Sequence, residues 1–89
     1  GIVLQPIELP TLLFWKNGNT WYGSKGQARF FIQPQQPGEG EEVLKVRLWR
    51  GPLAMEHSEI LSEAAFPLDG EGLTQLTGWL EERAAELNR

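Results

Sequence analysis

The chain has no cysteine. That single absence removes disulfides, thiolate metal sites and thiol nucleophiles. It has one histidine, His57, so a site built on paired imidazoles cannot form, and zinc of the usual kind finds too few ligands. No apolar stretch reaches the roughly 18–20 residues of a membrane-spanning helix, and no basic segment followed by an apolar run marks a secretory leader. Gly1 stands where an initiator methionine would, which points to a trimmed N-terminus. From these absences the expectation is a cytoplasmic protein with no membrane partner, no metal and no cofactor.

What is present describes a small globular domain. Eighty-nine residues with 40% hydrophobic and 22% charged side chains form one domain, 1–89, rather than a disordered chain. A chain this short buries only about 60–65% of the surface it exposes when unfolded, so its core is thin and one layer must cover another. The net charge of −4 is uneven. Residues 1–35 carry Lys16, Lys25 and Arg29 against Glu8, whereas residues 36–89 carry eleven acids against five bases. An overall negative field repels polyanions, which makes nucleic acid an unlikely partner.

The pattern along the chain predicts an α+β fold: an antiparallel meander of four to five strands, over 11–66, with one C-terminal helix packed on one face. Residues 1–10, with Pro6 and Pro10, read as an extended arm. In "LLFWKNGNTWYG" two β-prone runs flank Asn17-Gly18, the signature of a two-residue hairpin turn that needs positive φ at both positions. That turn would set Trp15 opposite Thr20 and Phe14 opposite Trp21. "GSKG" then makes a second tight turn, and "QARFFIQ" alternates as the next strand. A polar loop spans Pro34 to Glu42. "VLKVRLWR" puts Leu44, Val46 and Leu48 on one face and Lys45, Arg47 and Trp49 on the other. "SEILSEAAF" alternates as a further strand, ended by Pro67. Over 69–88, Leu73, Leu76, Leu80, Ala84 and Leu87 recur at spacings of three and four, the stripe of an amphipathic helix. Asp69 is its expected N-cap. Gly72 and Gly78 should weaken it by about 1 kcal/mol each relative to alanine, and Glu81 and Glu82 should face water.

The outer sheet face carries the candidate binding residues Arg29, Phe31, Arg47 and Trp49. A register with Arg29 opposite Arg47 opposes like charges. Shifting by two sets Arg29 opposite Trp49 and Phe31 opposite Arg47, two cation–π pairings, and brings Glu59 and Glu63 towards Arg47 and Lys45. As a structural device this is a charge-and-aromatic ladder on a solvated face. As a functional one it is a platform for a base, a sugar ring or a partner's side chain. Four tryptophans are too many for so thin a core, and the surplus predicts an exposed aromatic patch of the kind that marks interaction surfaces.

Catalytic signals are poor. The glycine-rich stretch is no phosphate loop, because Lys25 precedes Gly26 and strand-forming residues, not a helix, follow. His57 has Glu56, Ser58 and Glu59 beside it, yet nothing supports a triad geometry. No catalytic residue is assigned. The spacing FWKNG-x-x-W-x-G-x-x-G, with the later W-x-GP and the closing FPL-x-x-x-GL-x-x-L-x-x-WL, resembles a family of small bacterial proteins, a domain of unknown function, over nearly the whole chain. The resemblance implies a bacterial source and says nothing of activity. The sequence therefore points to a non-enzymatic binding or assembly module, with a protein partner or a homodimer. The alternative is a small binder of single-stranded nucleic acid or carbohydrate.

Overall fold

The computed structural model describes residues 7–36, 40–52 and 55–88. It has a short helix α1 (Leu12–Lys16), strands β1 (Trp21–Lys25), β2 (Ala28–Gln35) and β3 (Val43–Arg50), a 3₁₀ turn (Met55–His57), strand β4 (Ser62–Pro67) and helix α2 (Gly70–Leu87). The strands form an open antiparallel sheet in the order β1-β2-β3-β4. The architecture is α+β, as the residue pattern predicts, with four strands among the described residues.

Strand alternation builds the core. Phe30 and Ile32 of β2 lie in register with Leu48 and Val46 of β3, and all four are buried together with Leu44, Leu76, Leu80 and Ala84. The leucine stripe of α2 thus packs on the even-numbered side chains of the sheet. Each such side chain contributes about 1.5–3 kcal/mol on leaving water. Asp69 caps α2 as expected, accepting a hydrogen bond from the Gly72 N–H at 2.6 Å.

Four expectations are corrected. First, Asn17-Gly18 is not a hairpin turn. Leu12–Lys16 is helical, Asn17 has φ −82° and only Gly18 has a positive φ, +81°. The pair ends a helix, where a left-handed glycine after the last turn satisfies orphan carbonyls. The Asn17 N–H donates to the Leu13 carbonyl and the Gly18 N–H to that of Trp15. The helical turn drives Trp15 to full burial, with its indole Nε1–H donating to the Pro10 carbonyl at 3.3 Å. Phe14 then packs edge-on against both Trp15 and Trp21.

Second, the first hairpin of the sheet turns at Gly26-Gln27, joining β1 to β2, so Gly23, Ser24 and Lys25 belong to a strand. Gly26 has φ +59° while Gln27 does not enter the left-handed region, the arrangement of a type II′ turn. β2 also runs on through Pro34 and Gln35, two residues into the expected polar loop, whose positions 37–39 lie outside the described residues.

Third, Gly72 is more than a weak point in α2, because it permits the helix to dock. It is buried, and a Cβ there would overlap the carbonyl group of Pro67. Only glycine lets the first turn of the helix come that close to the end of β4. Fourth, Glu81 is not a freely solvated side chain but only partly exposed. It accepts from Lys25 Nζ on β1 and from the Ile7 N–H; residues 1–6 of the expected arm lie outside the described residues.

Candidate interaction face on the outer sheet

The odd-numbered side chains of β2 and β3 and the even-numbered ones of β1 point away from α2. The register places Arg29 opposite Trp49, Phe31 opposite Arg47 and Arg47 opposite Glu63, as the avoidance of opposed arginines requires. Glu63 binds both cations, Lys45 at 3.1 Å and Arg47 at 3.2 Å. The Lys45 hydrogen bond, with that of Arg47 beside it, holds the Glu63 carboxyl below its ordinary value. Glu59 lies outside β4 and takes no part in that register.

The four candidate residues share a face but not a role. Trp49 is only 3% exposed, so its expected place in an open platform is corrected. It lies outside the main core cluster, on the face that α2 does not cover. Arg29 turns back on the β1–β2 hairpin, donating to the Gly26 carbonyl at 2.6 Å and to that of Ala28 at 3.1 Å. Its guanidinium also fills the space over Gly51. Arg47 is tied to Glu63. Phe31 remains half-buried and accessible.

The residue that sequence reasoning missed is Tyr22. It sits directly opposite Phe31, its ring 4.5 Å from the phenyl ring at an interplanar angle of 32°, and it is 58% exposed. The mistaken hairpin at Asn17-Gly18 hid it. Placing the turn at Gly26-Gln27 sends Trp21 inward and Tyr22 outward by simple alternation. The tryptophan surplus is absorbed otherwise than expected: Trp15 and Trp49 are buried and Trp21 and Trp79 partly so, while Tyr22 supplies the exposed aromatic surface.

Other places on the molecule hold less chemistry. Two shallow clefts, of about 230 and 420 Å³, share Lys16 and Glu42 and contain none of Tyr22, Arg29, Phe31 or Arg47. His57 is exposed in its 3₁₀ turn. Among the described residues no group of three or more His, Asp or Glu side chains could hold a metal ion, and no helix is long and apolar enough to cross a membrane. Set against protein-family models, curated proteins and solved structures, the chain has no match.

Proposed function

We propose that the protein is a binding and assembly module, acting by contact rather than catalysis, whose interaction surface is the outer sheet face around Tyr22 and Phe31. The observation that carries this reading is the tilted Tyr22–Phe31 ring pair itself. Tyr22 is more than half exposed while its ring lies 4.5 Å from that of Phe31. An exposed aromatic pair on the sheet face opposite α2 is the kind of surface that protein contacts bury. Arg47 and Lys45, each held by Glu63, supply a polar border to it. The partner is a protein, a second copy of the chain first of all, and the setting cytoplasmic.

The second reading, a binder of single-stranded nucleic acid or sugar, draws on the same face, where Arg29, Lys45 and Arg47 outnumber Glu63. Two features weigh against it. Tyr22 and Phe31 each give one ring face to the other, leaving less of the free π-surface on which a base stacks. The arginines are committed to carbonyls and to Glu63, and the whole chain carries −4.

The test is a pair of titrations on the wild type and on Phe31→Ala. The binding-module reading expects self-association that Phe31→Ala weakens, and no response to a mixed-sequence single-stranded oligonucleotide at physiological salt. Oligonucleotide binding that falls steeply with salt, in a protein that stays monomeric, would replace it with the second reading.

A further inference from the structure

The sheet is open, and its two edges are unlike. β4 ends at Pro67, which has no N–H to donate, a device that discourages pairing with another chain. β1, Trp21-Tyr22-Gly23-Ser24-Lys25, has no proline, and its one charge is neutralised on the inner side by Glu81. The strand is also held firmly. Asn88, at the end of α2, accepts from the Gln27 N–H and donates to the Lys25 carbonyl, so the hairpin is clasped to the helix at its turn.

Alternation of the ladder determines which groups of β1 are free. Lys25 and Ala28 flank the two-residue loop and form a hydrogen-bonded pair, so Gly23–Phe30 and Trp21–Ile32 do the same. The N–H and C=O of Tyr22 and Ser24 therefore point away from the sheet. Among the described residues no hydrogen bond engages the outward N–H and C=O groups of Tyr22 and Ser24; the links from this strand to α2 are both at Lys25, its Nζ to Glu81 and its carbonyl to Asn88.

Resting on the assembly reading above, we propose that β1 pairs antiparallel with β1 of a second copy, about a two-fold axis through Gly23, to make one continuous eight-stranded sheet. This register is self-complementary. Tyr22 faces Ser24 of the second copy and Ser24 faces its Tyr22, so the two outward-pointing residues of each strand meet and four backbone hydrogen bonds form. Trp21 faces the second copy's Lys25, whose charge is balanced by that copy's Glu81, so no like charges are opposed. Gly23 meets Gly23 at the axis, each with the ring of its own Phe30 lying over its inner side where a Cβ would stand. On the outer face the Phe31–Tyr22 stack of each copy runs on into the other's Ser24 and Arg29, and the exposed tyrosine ring gains a neighbour.

Three measurements test this. Sedimentation equilibrium of the wild type over a wide concentration range should show a monomer–dimer equilibrium. Ser24→Pro removes only an outward N–H, which edge strands tolerate, and should raise the dimer dissociation constant about ten- to a hundred-fold, the net effect of two lost hydrogen bonds. Because the chain has no cysteine, register can be read directly, whether or not the proline variant folds. In a mixture of Tyr22→Cys and Ser24→Cys chains, oxidation should join unlike chains, whose facing positions lie within disulfide reach, and should leave each variant alone uncrosslinked. A wild type that stays monomeric throughout overturns the proposal and leaves the outer face to a different protein. A dimer that Phe31→Ala weakens, but Ser24→Pro does not and the unlike cysteines do not join, also overturns it, while the assembly reading stands.

Discussion

Gly72 and the carbonyl of Pro67 are in closer contact than any side chain would allow: a Cβ on Gly72 would overlap the peptide group of Pro67. The helix and the strand before it are joined by a single two-residue link, Leu68-Asp69, and this contact sets how α2 leaves the sheet. Helix propensity alone expects alanine to improve both Gly72 and Gly78 by about 1 kcal/mol. The account expects opposite signs. Gly78 has nothing within 4 Å of an added Cβ, so Gly78→Ala should stabilise by up to about 1 kcal/mol. Gly72→Ala should destabilise, by about 1–3 kcal/mol as overpacking does. Urea denaturation of the two variants decides it.

A second pair of substitutions separates a helix end from a hairpin turn at Asn17-Gly18. With φ at −82°, Asn17 accepts alanine without strain, whereas Gly18 at +81° does not. Gly18→Ala should cost about 1 kcal/mol and Asn17→Ala only a few tenths. A type I′ turn would make both positions costly, so equal losses in thermal melts would restore the hairpin.

These residues also mark how far the sequence could be read. The β2–β3 register was legible because opposed Arg29 and Arg47 are costly, and Asp69 and the leucine stripe gave α2 almost to the residue. Asn-Gly was not legible, since a left-handed glycine serves a hairpin and a helix end equally well. What decides between them is the burial of Trp15, a tertiary fact. Likewise, period 3.6 puts Glu81 beside the apolar stripe but cannot show that Lys25 and the Ile7 N–H lie within its reach. Alternation puts Trp49 on the outer face but does not reveal that it is buried there. At the candidate face the sequence located the right side of the sheet, while the mistaken first hairpin hid its most exposed aromatic.

Acid should loosen the molecule at two carboxylates. Burial pushes Glu81 up, but the hydrogen bonds from Lys25 and the Ile7 N–H outweigh it, and its pKa ends below the ordinary 4.5. Lys45 and Arg47 lower Glu63 in the same direction. A carboxyl with a depressed folded-state pKa contributes stability that is complete above the unfolded value and lost as pH falls through the folded one. Stability should therefore be level near neutrality and decline below about pH 4.5. Glu81→Gln should flatten that decline while costing no more than about 1 kcal/mol at pH 7, as partly exposed pairs do. A variant with an unchanged acid limb would show that the contact with Lys25 and the arm does not persist in solution.

The docking of α2 sets a plain contrast in magnitude. Leu76 is fully buried and Glu82 is exposed. Leu76→Ala should cost about 2–5 kcal/mol and Glu82→Ala a few tenths, read from denaturation midpoints at constant slope. Similar midpoints would mean that the helix does not rest on the sheet.

The central claim is that the outer face around Tyr22 is where this protein meets another chain. Tyr22 is the single tyrosine of the sequence, so its ring gives an unambiguous NMR signal. Following that signal against protein concentration tests the claim most directly, with the indole of buried Trp15 as an internal reference. The account predicts that the Tyr22 ring resonances shift or broaden as concentration rises and the Trp15 resonance holds still. A Tyr22 signal that stays fixed up to the solubility limit, and moves only when oligonucleotide is added at low salt, would contradict it.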